Sequence, residues 1–192
     1  YNIKGIDVLA PMEAGAIAIL GNSITDGRGS TTNQQDRWPD VLSRRLLANK
    51  PTSQVAVLNM GIGGNCMLGG GLGPTGRQRY QRDLINQAGV KWIILFEAVN
   101  DLGYARDGVQ SANMIIDVYK QIIQEAHEKG IYVYGATITP FKNNGYYTED
   151  HEKGRQHLNN WMRTTDLLDG VIELEHAVRD PQDPASMHKD YL

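Results

Sequence analysis

The 192-residue sequence predicts an α/β protein, a three-layer sandwich in which helices cover a mostly parallel five-stranded sheet. Three observations carry that expectation. Short apolar, β-branched runs recur along the chain, helical patterns separate them, and no repeat, low-complexity segment or linker divides the whole. Near-continuous apolar runs are what strands buried on both faces of a parallel sheet look like. A chain of this length makes one domain of ordinary size, 1–192, able to bury a core without disulfide or metal staples.

The first run is AIAIL at 16–20, followed by a helical pattern over 36–48, DRWPDVLSRRLLA. VAVLN at 55–59 gives the second strand and leads into GIGGNCMLGGGLGPTG, 61–76, a long irregular connection of a kind that is usually functional in compact domains. A helical pattern over 77–87 precedes the third strand, WIILFE at 92–97. The longest helix is expected over 110–129, where Met114, Ile115, Val118, Ile122 and Ile123 fall at helical spacing and Gly130 is placed to stop it. IYVYGATIT at 131–139, a helix over 151–164 and GVIEL at 170–174 complete the alternation.

Composition narrows the function. Nineteen Lys and Arg against twenty-two Asp and Glu give a net charge of −3 with no basic run, so the electrostatic footprint of a nucleic-acid binder is missing. The single cysteine, Cys66, makes no intrachain disulfide, and no cysteine pair offers a zinc site. No apolar run reaches the ~18 residues of a membrane span. The start, YNIKGIDVLAP, has neither the charged start nor the apolar core of a signal peptide and no initiator Met. The expectation is a mature or excised chain from a secreted or extracytoplasmic precursor.

The glycine-rich stretch invites a nucleotide reading. Gly71 to Gly76 matches G-x-G-x-x-G by letter, but no strand feeds those glycines directly, and a P-loop needs Lys then Ser or Thr where this chain has Arg77 and Gln78. A surface loop using glycine for positive φ is the simpler reading.

Polar residues at strand ends are more informative. Ser23 follows the first strand in AIAILGNSITDGRGS (16–30), Gly64 and Asn65 follow the second, and Asn100 and Asp101 follow the third. Parallel strands send their carboxyl ends to one edge, where α/β proteins place their sites. A serine oxygen attacking a carbonyl needs donors for the developing oxyanion, and a backbone N–H at Ser23, a glycine N–H and the Asn100 amide are suitable. Position alone favours Ser23 as a helix N-cap and allows Asn100 an Asx turn; the three sites together favour nucleophile and oxyanion donor.

These residues carry a resemblance. Gly21-Asn22-Ser23-Ile24-Thr25-Asp26 resembles the Gly-Asp-Ser block of the SGNH (GDSL-type) esterases and lipases, Asn59 to Asn65 resembles their second block, and Glu97-Ala98-Val99-Asn100-Asp101 the third. The likeness extends from about residue 6 to 183. It implies a flavodoxin-like fold, hydrolysis of carboxylic esters without metal or organic cofactor, Ser23 as nucleophile, and Gly64 with Asn100 as oxyanion donors. Asn22, Asn65 and Arg28 stand beside them as candidate substrate contacts, the substrate being a small-molecule or carbohydrate ester of short acyl chain.

The sequence departs from the family pattern in three places. Asn22 stands for Asp, Ala98 for the Gly before Val-Asn-Asp, and the family's last block, Asp-x-x-His, is not in the chain. The expectation is therefore that the chain stops just before its catalytic base and last helix. Without an imidazole the serine hydroxyl is too weak a nucleophile at neutral pH. His188, beside Asp183 and Asp190, is the candidate substitute. Glu173 and His176 form the one acid-x-x-His but, on the predicted strand, point to opposite faces. His127 reads as part of a solvated helix face, and His151 and His157 do not share one. Two other classes stay open: a non-catalytic binding module that keeps the cleft, and a flavodoxin-like nucleotide binder.

Overall fold

The computed structural model describes residues 8–191; residues 1–7, part of the start considered above for a leader, lie outside them. Strands β1 (Gly15–Gly21), β2 (Val55–Gly61), β3 (Val90–Phe96), β4 (Tyr132–Ala136) and β5 (Gly170–Ile172) form one sheet in the order β2-β1-β3-β4-β5. Every neighbouring pair is parallel. The predicted sheet is thus present, with its last two strands shorter than their apolar runs. β4 ends where the Thr137 N–H and hydroxyl turn to the Ile172 carbonyl, and β5 ends where Glu173 opens a helical turn.

The helices are α1 (Ser23–Asp26), α2 (Trp38–Ala48), α3 (Gly76–Tyr80), α4 (Val99–Gly103), α5 (Gly108–His127), α6 (Glu149–Thr164) and α7 (Leu174–Val178). Three of them, α1, α4 and α7, are too short for a periodic pattern to announce. The helix expected over 77–87 is α3, closed by a reciprocal Thr75–Gln78 capping box, running into a wider π-type turn at Gln81–Ile85. α5 is capped by Asp107, whose side chain accepts from the Gln110 N–H, and stops at Gly130 with φ +70°. Its buried stripe is Ala112, Ile115, Ile116, Tyr119, Ile122, Ile123 and Ala126; Met114, expected in it, is half exposed.

The sheet order dictates where the layers lie. The connection from β1 goes one way to β2, and the next three go the other way, so right-handed crossovers put α2 on one face and α3, α5 and α6 on the other. Leu168 and Met162 of the α6 region press on Gly135, in register with Leu95, whereas Trp38 of α2 meets Phe96 edge-on at 6.2 Å. Ala18, Leu20, Ile93, Leu95 and Val133 are buried under α3, α5 and α6, each large side chain contributing about 1.5–3 kcal/mol. The α2 face is thinner: Val57, Ile17, Trp92 and Tyr132 lie in one register row, only partly covered, with Tyr132 54% exposed.

α5 and α6 meet backbone to backbone. The Gly108 N–H donates to Asp150 Oδ2 at 2.7 Å, and a Cβ at Gly154 would collide with the Gly108 carbonyl. Gly154→Ala is expected to lose about 1–3 kcal/mol in urea denaturation, the ordinary cost of overpacking. Gly145→Ala, with open space around its Cβ position, should stay within about 0.5 kcal/mol of wild type.

Candidate active site

The site begins where β1 stops. Asn22 follows Gly21 and caps α1, its Oδ1 accepting the Ile24 N–H at 3.1 Å and its carbonyl accepting from Thr25 and Asp26. The capping role that position alone offers to Ser23 is therefore taken by its neighbour. Ser23 becomes the first helical residue, half-buried, and neither its N–H nor its hydroxyl is bonded to a described residue. Gly27 in the left-handed region ends the turn, and the N–H groups of Gly27 and Arg28 both donate to the Ser23 carbonyl.

The second loop is fastened to this elbow. The Ile62 N–H donates to the Gly21 carbonyl at 3.1 Å, the Gly63 N–H to Asp26 Oδ2 at 3.0 Å, and Asn59 Nδ2 to the Thr25 carbonyl at 2.7 Å. Gly64 comes next with φ +70°, a conformation L side chains rarely adopt, and its N–H donates to no described acceptor. The third strand brings Asn100, whose Nδ2 donates to the Asn65 carbonyl at 2.7 Å from the first turn of α4. Gly21 pairs with both Gly61 and Phe96 in the sheet, so Ser23, Gly64 and Asn100 leave from adjacent points on one edge.

Beneath them lies a side chain that sequence reasoning passed over. Arg79, 1% exposed, donates to Asn65 Oδ1 from both Nε and Nη2, to the Met60 carbonyl at 2.6 Å and to the Gly21 carbonyl at 3.1 Å, and it pairs with Asp83 at 3.0 Å. The one signal for it in the sequence is the i,i+4 spacing of Arg79 and Asp83.

Two expected substrate contacts are corrected. Asn65 is fully buried, its Nδ2 donating to the carbonyls of Leu72 and Pro74 while Arg79 occupies its oxygen. Asn22 is 2% exposed, its Nδ2 donating to Glu97 Oε1 at 3.0 Å. Asn65 has both amide hydrogens and its oxygen engaged within the fold, and Asn22 is buried with its oxygen on the Ile24 N–H and its Nδ2 on Glu97. Arg28 does reach solvent.

The electrostatics beneath the site are unusual. Burial pushes the Glu97 carboxyl up to about 8, against the opposing hydrogen bond from Asn22, and Glu97 Oε2 has no partner. Asp101 is pushed up to about 6 by burial although it accepts the N–H groups of Met67 and Leu68. An aspartate in place of Asn22 would set a second carboxyl against Glu97; the amide supplies a donor instead. Burial foremost, then Asp101 and Glu97, pushes the Cys66 thiol up to about 12, which makes it a packed, unreactive group.

Each of the five histidines faces a partner of its own. His127 Nε2 meets Asp169 at 2.9 Å, a pairing the solvated-face reading did not foresee, and His157 Nε2 meets Asn113 at 2.8 Å. His151 lies between two carbonyls. His176 stands 3.6 Å from Glu173, because that segment is the helix α7 rather than a strand and the i,i+3 pair shares a face. His188 donates its backbone N–H to the Val178 carbonyl and turns Nδ1 toward Asp190 at 3.5 Å. No described imidazole is bonded to Ser23. Beside α1, Asp26, Ser30, Thr31, Thr32, Asn33, Gln35, Asp36 and Arg37 line a wholly polar pocket of about 260 Å³. No group of three metal-ligating side chains occurs among the described residues.

The model of the GDSL-like Lipase/Acylhydrolase family matches residues 19–191. Among solved structures, AlinE4, an esterase of the SGNH-hydrolase family, is 17% identical over 90% of this chain and 84% of its own, with a TM-score of 0.61. A lipolytic protein of the G-D-S-L family from Desulfitobacterium hafniense DCB-2 is 16% identical over 91% of this chain and 84% of its own, with a TM-score of 0.66. A two-domain esterase active on acetylated mannans is 22% identical over 76% of this chain and 36% of its own, with a TM-score of 0.50. At such identities the likeness is one of fold. No curated protein matches the chain significantly.

Removing the Arg79 guanidinium takes both donors from the buried Asn65 Oδ1 and leaves Asp83 to Arg82 alone. Arg79→Met is therefore expected to cost about 1–3 kcal/mol in urea denaturation. Glu97 predicts a pH dependence. Between its ordinary carboxyl range and about 8, the folded state keeps a proton that the unfolded state has released, so stability falls as pH rises through that window. The slope is at most about 1.4 kcal/mol per pH unit. Glu97→Gln should flatten it in denaturation midpoints compared between about pH 5 and about pH 8; an unchanged slope would contradict a protonated Glu97.

Proposed function

Because the chain belongs to the GDSL-like Lipase/Acylhydrolase family, and with it to the carboxylic ester hydrolases, we propose that Ser23 is the nucleophile of an acyl-serine mechanism. Ser23 Oγ forms the bond to the ester carbonyl carbon as its proton passes to a base, and the carbonyl π electrons move to the oxygen. That oxyanion is held by the N–H groups of Ser23 and Gly64 and by the Asn100 amide. Its collapse breaks the bond to the alcohol oxygen, which takes the proton from the base. Water, deprotonated by the same base, then attacks the acyl-serine and releases the acid and the free hydroxyl.

The observation that carries this reading is the pair of unengaged backbone N–H groups, at Ser23 and Gly64, on one sheet edge with the Asn100 amide. Donors left unpaired by the fold and fixed by it need no reorganisation when charge develops, which is how such sites stabilise a transition state. The base in this proposal is an imidazole, and His188, with Nδ1 turned toward Asp190 at 3.5 Å, is the described candidate. The substrate class in this proposal is a short acyl ester of a polar alcohol such as a carbohydrate, in keeping with the fold neighbour that is active on acetylated mannans.

Hydrolysis of a short-chain aryl ester by the natural protein that contains this sequence tests the proposal. Ser23→Ala should lower kcat by about a thousand-fold or more. Turnover retained by that variant would overturn Ser23 as nucleophile. Activity of residues 1–192 alone that His188→Ala abolishes would assign the base to His188. Sugar-ester binding with no turnover in any form would favour the non-catalytic module.

A further inference from the structure

Two tyrosines stand at the mouth of the site in an arrangement that the ester chemistry above does not use. Tyr104 follows α4, its N–H donating to the Asn100 carbonyl at 3.1 Å, one turn beyond the oxyanion amide. Tyr146 lies in the loop between β4 and α6. Their rings meet edge to face with centroids 5.1 Å apart, and the hydroxyls are hydrogen-bonded at 2.7 Å. Tyr104 is nonetheless 61% exposed.

The pair is held at three further points. The Tyr146 ring lies over Gly103 so closely that a Cβ there would collide with it. His151 of α6 bridges both loops, Nδ1 to the Tyr146 carbonyl at 2.6 Å and Nε2 to the Ala105 carbonyl at 3.0 Å. The pair also borders the reacting centre: Arg28 and Cys66 are near enough to the Tyr146 hydroxyl to influence it. Arg28 donates its N–H to the Ser23 carbonyl, and Cys66 follows the residue that accepts from Asn100. A surface ring fixed in this way has already lost its rotamer entropy, and that is what a preorganised binding face requires.

We propose that Tyr104 and Tyr146 form the wall on which the alcohol portion of the ester, a sugar ring, stacks, and that His151 is a positioning residue holding the wall. The proposal rests on the carbohydrate-ester reading above and assigns it residues. A sugar offers an apolar C–H face to the Tyr104 ring and hydroxyls to the paired phenols and to Arg28. An acyl chain would leave those polar groups unmatched.

The direct test is binding of a mono-acetylated methyl glucoside to the full protein carrying Ser23→Ala, followed by titration calorimetry. Adding Tyr104→Ala should weaken Kd roughly ten-fold, the scale of an aromatic stacking contact, and Tyr104→Phe should retain most of the affinity. No binding before the tyrosine is changed, an unchanged Kd in Tyr104→Ala, or an equal loss for ethyl acetate would each overturn the wall. The result does not depend on Ser23 being the nucleophile, so a failure of the mechanism and a failure of the wall stay distinguishable. In the active enzyme, His151→Ala should raise KM for the sugar ester more than for ethyl acetate. An equal fall in kcat on both esters would mean a merely structural histidine.

Discussion

A guanidinium closed off from solvent holds the ends of β1 and β2 and the loop after β2 in one place. Arg79 reaches the carbonyl at the end of β1, the carbonyl near the end of β2 and the side chain of Asn65, and Asn65 in turn grips the glycine-rich loop at Leu72 and Pro74. The carbonyl of Asn65 then receives the Asn100 amide from the third strand. Two loops that no regular secondary structure ties together thus become one rigid edge. A buried charge is tolerable here because every acceptor around it is satisfied by a donor of fixed geometry, which a lysine could not supply.

The elbow itself is organised by an exchange of roles between neighbours. Because Asn22 caps α1 and also donates to Glu97, Ser23 has neither N–H nor hydroxyl bonded to a described residue at the same point. The Glu97 carboxyl, pushed up by burial, favours its neutral form and so accepts from the amide without setting a full charge beneath Asn22. Substituting Asn for Asp in the first block is therefore matched by what lies beneath it.

Much of this was legible in the sequence, for physical reasons that also explain the rest. β1 and β3 declare themselves because strands buried on both faces need continuous apolar runs, and α5 because twenty residues give its stripe room to repeat. Ser23, Gly64 and Asn100 could be singled out because parallel strands put their ends together. α1, α4 and α7 hold only one turn each and leave no period to read. Polarity at a strand end does not say whether a side chain faces in or out, which is why Asn22 and Asn65 were expected at the substrate. Arg79 and the Tyr104–Tyr146–His151 assembly depend on contacts between segments far apart in the chain, and no local pattern encodes those.

The account stands on the convergence of Ser23, Gly64 and Asn100 around one tetrahedral centre. The most direct measurement is a crystal structure of the full protein after reaction with a small phosphonate ester. The account predicts a tetrahedral phosphorus bonded to Ser23 Oγ, with one of its oxygens within hydrogen-bond distance of the Ser23 and Gly64 nitrogens and of Asn100 Nδ2. A phosphonate attached to another residue, or an oxygen turned away from those three donors, would contradict it.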